Sequence, residues 1–359
     1  MSVEKKIKGI GENVLEQMKK GKNPYIEIPV RTLANVEFDE KTGIIKLKGM
    51  KAKRFFLNVA HARKFMQTLL VAAFTKGLIE QKVTTSIRDL YYALKRTLPG
   101  TKENTFEEQS ESDPIIEDLE VTLDVLREEM HLNAERKGLM VGNCTILDAG
   151  DEINLRKMGT GGYGVPSNVE EEMIKFKKID ADFVLFVEKA AVFSRLNEDK
   201  FWKKHNCILI TGEGQPSRGV RRMLYRLHNE FGLPIYVLTD ADGWGYYIYS
   251  VIKQGSINLA HLSPKLGVPD AIFVGLTTKD VEKFKLPKNV TIKLNEMDIK
   301  RAKELLEYPW FKSKAWQDEI NHMLKVGYKL ELEALSSRGI KFISEEYLPT
   351  KIKNKDFIL

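Results

Sequence analysis

Residues 182–254, DFVLFVEKAAVFSRLNEDKFWKKHNCILITGEGQPSRGVRRMLYRLHNEFGLPIYVLTDADGWGYYIYSVIKQ, decide the fold. The runs DFVLFVE, CILITG and PIYVLTD are short and rich in Val, Ile and Phe, and AIFVGL at 271–276 repeats the pattern. A strand that is apolar at successive positions has no wet face and belongs in a parallel sheet covered on both sides. The segments between, AAVFSRLNEDKFWKK, RGVRRMLYRLHNEF and GWGYYIYSVIKQ, read as helices. Alternating strands and helices predict an α/β domain with a mostly parallel sheet.

Open α/β sheets bind ligands beyond the carboxyl ends of their strands. Three acids stand there: Glu188 ends the first run, Asp240 ends the third, and Asp242 follows two residues later. Converging carboxylates repel one another unless a cation joins them, and hard oxygen ligands point to Mg²⁺. A single acid at a strand end also suits the cap of the next helix. TGEGQPSRGVRR (211–222) combines two glycines with a helix start and Arg218, Arg221 and Arg222, which suits a phosphate; a plain β–α turn reads the same way. GTGGYG (159–164) follows no clear strand, and GxxxxGK[ST] is absent, so no ATP loop is visible.

Upstream, residues 1–22 read as an amphipathic helix and 24–58 as extended, with a hairpin turn at DEKTG. HARKFMQTLLVAAFTKGLIEQ (61–81) and SIRDLYYALKRTL (86–98) predict helix, turn, helix, in the manner of a helix-turn-helix. On the second helix Arg88, Tyr92, Lys95 and Arg96 share one face, while Tyr91 is rotated away. A phenol is a poor nucleophile unless cations stabilise its phenolate; Tyr91 suits a packing role. DPIIEDLEVTLDVLREEMHL (113–132) predicts a strong helix capped by Asp113, with Pro114 at its first position. Residues 133–178 read as loop-rich, and the main boundary is set near 150.

The 359 residues suggest two domains, possibly a third. Charged residues reach 30% and Lys plus Arg exceeds Asp plus Glu by 57 to 50, a surplus compatible with a polyanion partner. Cys144 and Cys207 are the only cysteines, which excludes a disulfide framework and a cysteine zinc cluster. No apolar run approaches a membrane span and the N-terminus is charged throughout, so the expected location is inside the cell, without a membrane. The charge-rich, cysteine-poor composition points toward a thermophile.

Taken together these motifs resemble the family that unites the A subunit of DNA topoisomerase VI with the transesterase that makes meiotic double-strand breaks. The resemblance runs from about Val30 to about residue 280. SIRDLYY resembles the catalytic-tyrosine motif; TFEEQSESDPIIEDLE resembles the segment after it; FVEK, ITGEGQPSRGVRR and LTDADGWGYYIYSVIKQGS resemble successive Toprim signatures. The resemblance implies α/β plus winged-helix architecture: an extension at 1–58 that could dock a partner, a CAP-like winged-helix DNA-binding domain at 59–150, and a Toprim domain with C-terminal helices at 151–359. It implies Tyr92 as nucleophile, Arg88 beside the scissile phosphate, and Glu188, Asp240 and Asp242 as Mg²⁺ ligands. It further implies duplex DNA as substrate, a homodimer, and ATP bound by a separate GHKL-type B subunit in an A2B2 heterotetramer, within the nucleoid-containing cytoplasm of an archaeon. Gly243 stands where the family commonly has Pro, and Val220-Arg221 where a Thr-Arg pair is common. The alternative within the family is a recombination-initiating transesterase. A Toprim nuclease or primase would not need Tyr92, and a winged-helix regulator would need neither Glu188 nor a metal.

Overall fold

The computed structural model describes residues 2–358, which divide into two compact units. One comprises the chain up to Glu37, Lys46–Glu135 and Ile257–His261; the other comprises Phe38–Ile45, Arg136–Ser256 and the chain from Leu262 onward. The division thus falls at 135/136, upstream of the boundary expected near 150.

In the first unit, α1 (Val3–Lys19) is capped by Ser2 and buries Ile7 and Val14. Strands β1 (Tyr25–Pro29) and β2 (Lys51–Phe55) pair antiparallel, Tyr25 opposite Phe55. The hairpin expected at DEKTG forms from Val36–Asp39 and Ile44–Leu47, residues that the division shares between the two units. Helices α2 (Val59–Gln81) and α3 (Ile87–Leu94) realise the helix–turn–helix pattern, α2 stopping where Lys82 turns left-handed at φ 54°. With α4 (Gln109–Leu123) they enclose a core of Val71, Leu90, Phe106, Ile115, Leu119, Met130 and Leu132.

Two local expectations fail for physical reasons. Helix α4 begins at Gln109 rather than at Asp113, holds Pro114 inside it, and stops at Leu123, where Asp124 turns left-handed (φ 50°), short of the expected Leu132. The polar QSES turn becomes helical because Glu111 accepts a 2.9 Å bond from buried Gln67 and Ser112 is itself buried. Helix α3 ends at Leu94, because Lys95 takes an extended conformation (φ −72°, ψ 106°). Lys95 therefore leaves the helical face it was expected to share with Tyr92. Deeper in the unit, Asp118 is nearly buried and receives the guanidinium groups of Arg31 and Arg54, with Arg31 Nη2 at 2.9 Å. The pairs tie α4 to the flanks of β1 and β2.

The second unit is built on a six-stranded sheet. Its strands are β3 (Leu139–Gly142), β4 (Phe183–Val187), β5 (Cys207–Thr211), β6 (Ile235–Leu238) and β7 (Ile272–Gly275), with Tyr163–Gly164 at one edge. The order is Tyr163–Gly164, β3, β5, β4, β6, β7, and the last four are parallel. Every residue of β4 and β5 is buried, as runs without a polar face require. The chain steps from β4 to β5 on one side, then crosses to β6 on the other, so β4 and β6 flank the topological switch point where such sheets open a ligand crevice. Helices α5 (Ala190–Glu198), α6 (Arg218–Phe231) and α7 (Gly243–Lys253) follow β4, β5 and β6, with α8 (Glu296–Glu307) and α9 (Lys314–Val326) further on. The region read as loop-rich contains a three-stranded antiparallel sheet, Cys144–Asp148, Asp151–Asn154 and Ile174–Ile179. Its strands are short, and its first turn is made by Ala149 and Gly150, both at positive φ.

Candidate active site

The carboxyl ends of β4 and β6 bring two of the predicted acids together. Glu188 follows β4 and Asp240 lies two residues beyond β6; the Asp240 backbone N–H donates to Glu188 Oε2 at 3.0 Å. Asp242 caps α7, its Oδ1 accepting from the N–H groups of Trp244 (2.9 Å) and Gly245 (2.7 Å). Asp242 is therefore both a helix cap and a charged neighbour of the other two. Gly245 is required by crowding: a Cβ there would stand 2.2 Å from the Asp240 carbonyl oxygen. The turn DADGWG thus folds tightly enough to hold Asp240 and Asp242 at the crevice.

Electrostatics follow from that packing. Burial, and then the nearby charges of Asp240 and Asp242, push the Glu188 carboxyl up to about 7. Burial raises Asp240 to about 6, against the opposing effect of the Leu332 N–H and Lys189. Burial also raises Asp242. Burial is the leading cause at all three acids, and their neighbouring charges add to it at Glu188 and Asp240.

Sequence reasoning missed the groups that surround Asp240. Lys189 Nζ reaches Asp240 Oδ2 (3.1 Å), Glu331 (3.1 Å) and Glu333 (2.9 Å), and the Leu332 N–H donates to Asp240 Oδ1 at 2.8 Å. Burial opposes the Lys189 ammonium, yet Glu333, Asp240 and Glu331 hold its proton affinity above the ordinary value. Lys189 was visible beside Glu188 in FVEK. Nothing local announced the 331–333 segment, which returns from far along the chain.

The donor set fits Mg²⁺: three carboxylates at a switch point, all hard oxygen donors, all with raised proton affinity. Among the described residues no three His, Cys, Asp or Glu side chains are arranged to enclose a metal on their own. The predicted set of three is therefore not drawn together into one ready-made shell.

The first unit presents the tyrosines. Ser86 and Asp89 form a reciprocal capping box that fixes the start of α3. Tyr91 is 7% exposed; its hydroxyl donates to the Glu107 carbonyl (2.7 Å) and accepts from Lys95 Nζ (2.9 Å). Tyr92, packed 5.0 Å from the Tyr91 ring, is 62% exposed. Arg88 is equally open, with Nη1 4.0 Å from Glu135 Oε1. One tyrosine is locked into the unit; its neighbour is presented to solvent beside an available cation.

The acidic cluster thus stands at the switch point of a covered sheet in one unit, and the exposed tyrosine stands on the second helix of a helix–turn–helix in the other. Residues 183–352 match the family model for the Toprim domain of topoisomerase 6 A subunits and Spo11, 63–132 match "Type IIB DNA topoisomerase", and 134–180 match "All-beta domain in DNA topoisomerase VI alpha subunit". The chain is 51% identical to the type 2 DNA topoisomerase 6 A subunit of Pyrococcus abyssi, covering 97% of this chain and 93% of that protein. It is 46% identical to the same-named protein of Hyperthermus butylicus (97% and 93% covered) and 38% identical to that of Methanocaldococcus jannaschii (98% and 94%). The chain belongs to the family of DNA topoisomerase VI A subunits, within the type IIB DNA topoisomerases. The all-β match covers the short-stranded sheet that the sequence reading left as loops. No helix among the described residues is long and apolar enough to cross a membrane.

Proposed function

We propose that Tyr92 is the nucleophile with which this protein cuts duplex DNA, and that the 59–150 region acts as a winged-helix domain carrying it. The Tyr92 oxygen forms a bond to phosphorus, the bond from phosphorus to O3′ breaks, the departing oxygen takes a proton, and the phenol proton is lost to solvent or base. One phosphodiester replaces another, so resealing needs no fuel at this step. The observation that carries the reading is the contrast within Tyr91-Tyr92, one hydroxyl fixed and the other open. Arg88 offsets charge that develops on the phosphate.

Glu188, Asp240 and Asp242 would hold Mg²⁺, which when bound supplies polarisation of phosphate oxygens and stabilises the leaving oxygen. Lys189 orients Asp240, and the Leu332 N–H fixes its other oxygen. The assembly is a dimer of this chain with a separate ATP-hydrolysing B subunit, an A2B2 complex on archaeal chromosomal DNA. The N-terminal 1–58 segment is the candidate docking surface for that partner. The test is a trapping assay. Supercoiled plasmid, a candidate B subunit, Mg²⁺ and a non-hydrolysable ATP analogue are mixed with wild type or Tyr92→Phe and quenched with denaturant. Protein joined to 5′ ends in wild type alone supports the assignment; equal cleavage by both moves the chemistry to the acidic cluster. ATP-dependent relaxation separates a topoisomerase from a recombination-initiating relative.

A further inference from the structure

The arginines of α6 are not equally used. Arg222 is committed to Glu170 (2.8 and 2.7 Å) and the Lys265 carbonyl (3.1 Å). Arg226 is committed to Glu230 (2.5 and 3.1 Å) and the carbonyls of Val169 and Ile174 (2.6 and 2.7 Å). Arg221 is 3% exposed, yet neither its Nε nor its Nη2 has an acceptor. A buried guanidinium with two nitrogens lacking acceptors is among the costliest arrangements a fold can keep.

Its surroundings deepen the deficit. Burial, and then the like charge of Arg218 one turn earlier, lower the proton affinity of Arg221 to about 10. Both residues lie in the first turns of a 14-residue helix, where the backbone dipole adds positive potential. Tyr247 of α7 acts the other way on Arg221, and the Arg301 guanidinium lies 4.0 Å from the Tyr247 ring with its own Nε unpartnered. Arg221 stands one turn into α6, just beyond the glycine loop that enters the helix. That loop adjoins the acidic cluster: the Gly214 N–H donates to the Glu188 carbonyl at 2.8 Å. Around Gly214, at φ +94°, a Cβ would meet nothing within 4 Å, so this side of the loop is open.

We propose that the N-terminus of α6 seats a backbone phosphate of bound DNA adjoining the one exchanged at the acidic cluster, with Arg218 meeting it first and Arg221 reaching forward to neutralise it. The proposal rests on the DNA-cleaving reading above. A doubly charged free phosphate would be repelled by the neighbouring carboxylates. A diester carries one charge, and the rest of the strand delivers it there.

The test places Arg221→Met in the full chain carrying Tyr92→Phe, so that no cleavage intervenes. A duplex is titrated over a salt series without divalent metal, and the thermal midpoint is measured without DNA. The expected result is a log–log salt slope smaller by about 0.9, one phosphate contact, with affinity lower by about tenfold at low salt. The midpoint holds or rises, because an unpaired buried charge has been replaced by an apolar chain of similar length. Arg221→Lys restores the slope, since it keeps the charge. A fall in midpoint would give Arg221 a structural role and overturn the proposal. An unchanged slope and affinity would also overturn it, and two arms then identify the occupant: Arg221-dependent stabilisation by inorganic phosphate means a free anion, and Arg221-dependent self-association means a carboxylate of another copy. A Tyr92→Phe parent that binds no duplex would instead sink the DNA-cleaving reading, and this proposal with it.

Discussion

Replacing each tyrosine of the Tyr91-Tyr92 pair by phenylalanine removes one oxygen at adjacent positions, with opposite expected consequences. Tyr92 is 62% exposed, and among the described residues no hydrogen bond to its hydroxyl is found. Tyr92→Phe keeps the ring against Tyr91, so stability should change by less than about 0.5 kcal/mol. Tyr91 is 7% exposed and its hydroxyl donates to the Glu107 carbonyl at 2.7 Å. Losing that neutral bond costs about 1 kcal/mol. The cost stays near that figure because Lys95 Nζ also reaches the Glu107 carbonyl, at 2.9 Å, and keeps it partnered. Urea unfolding midpoints at constant slope measure both changes, and the trapping assay measures covalent protein–DNA product. Tyr91→Phe should be measurably less stable and still trap DNA; Tyr92→Phe should be as stable as wild type and trap none. Trapping by Tyr92→Phe together with its loss in Tyr91→Phe would refute the assignment, and with it the argument from exposure.

Further outcomes follow from the same geometry. In chelator, Glu188→Gln should stabilise the protein at pH 8 by up to about 3 kcal/mol, at about 1.4 kcal/mol per pH decade, and leave it unchanged near pH 4. The sign follows from the raised carboxyl: between 4.5 and about 7 the folded state binds a proton that the unfolded state has lost, so wild-type stability falls through that window and then levels. Asp240→Asn should keep its acceptor for the Leu332 N–H and bind duplex normally, yet trap no DNA in Mg²⁺. Asp118→Ala should cost about 3–5 kcal/mol in urea unfolding, because Arg31 and Arg54 lose the carboxylate between them. Gly245→Ala should lower the thermal midpoint more than a typical surface change, since its Cβ falls 2.2 Å from a backbone oxygen.

The elements legible in the sequence are those whose burial is local. DFVLFVE and CILITG could only be covered strands, and both are buried throughout. The carboxylates were found because they end such strands. What was not legible depends on partners distant in the chain. The start of α4 is set by Gln67, some forty positions earlier, and Lys95 is drawn out of α3 toward the Glu107 carbonyl. Three short strands between 144 and 179 carry too few residues for their alternation to rise above a loop reading. The 331–333 segment enters the site only through the fold. The use of Arg222 and Arg226, and the lack of acceptors for Arg221, could not be read from RGVRR at all.

The electrostatics of the second unit and the exposure of Tyr92 bear on one question, which is how a chain able to cut DNA remains inert without it. Tyr92 stands in the first unit, exposed, with no hydrogen bond to its hydroxyl among the described residues. Glu188, Asp240 and Asp242 stand in the second unit as buried acids with raised proton affinity and no nucleophile of their own. Arg221 adds an unmet positive charge a few residues beyond the loop that bonds to Glu188. On the reading proposed above, a metal ion and a DNA strand satisfy all of these at once. The cation answers the carboxylates, a phosphate answers Arg221, and the scissile phosphate brings the electrophile to Tyr92. Each part alone is energetically unfavourable and chemically incomplete, so binding free energy is available to assemble the site only when the substrate is present. On that reading, an enzyme that severs both strands of DNA keeps its proposed nucleophile and its proposed metal ligands in separate compact units, so the substrate is itself a condition of activity.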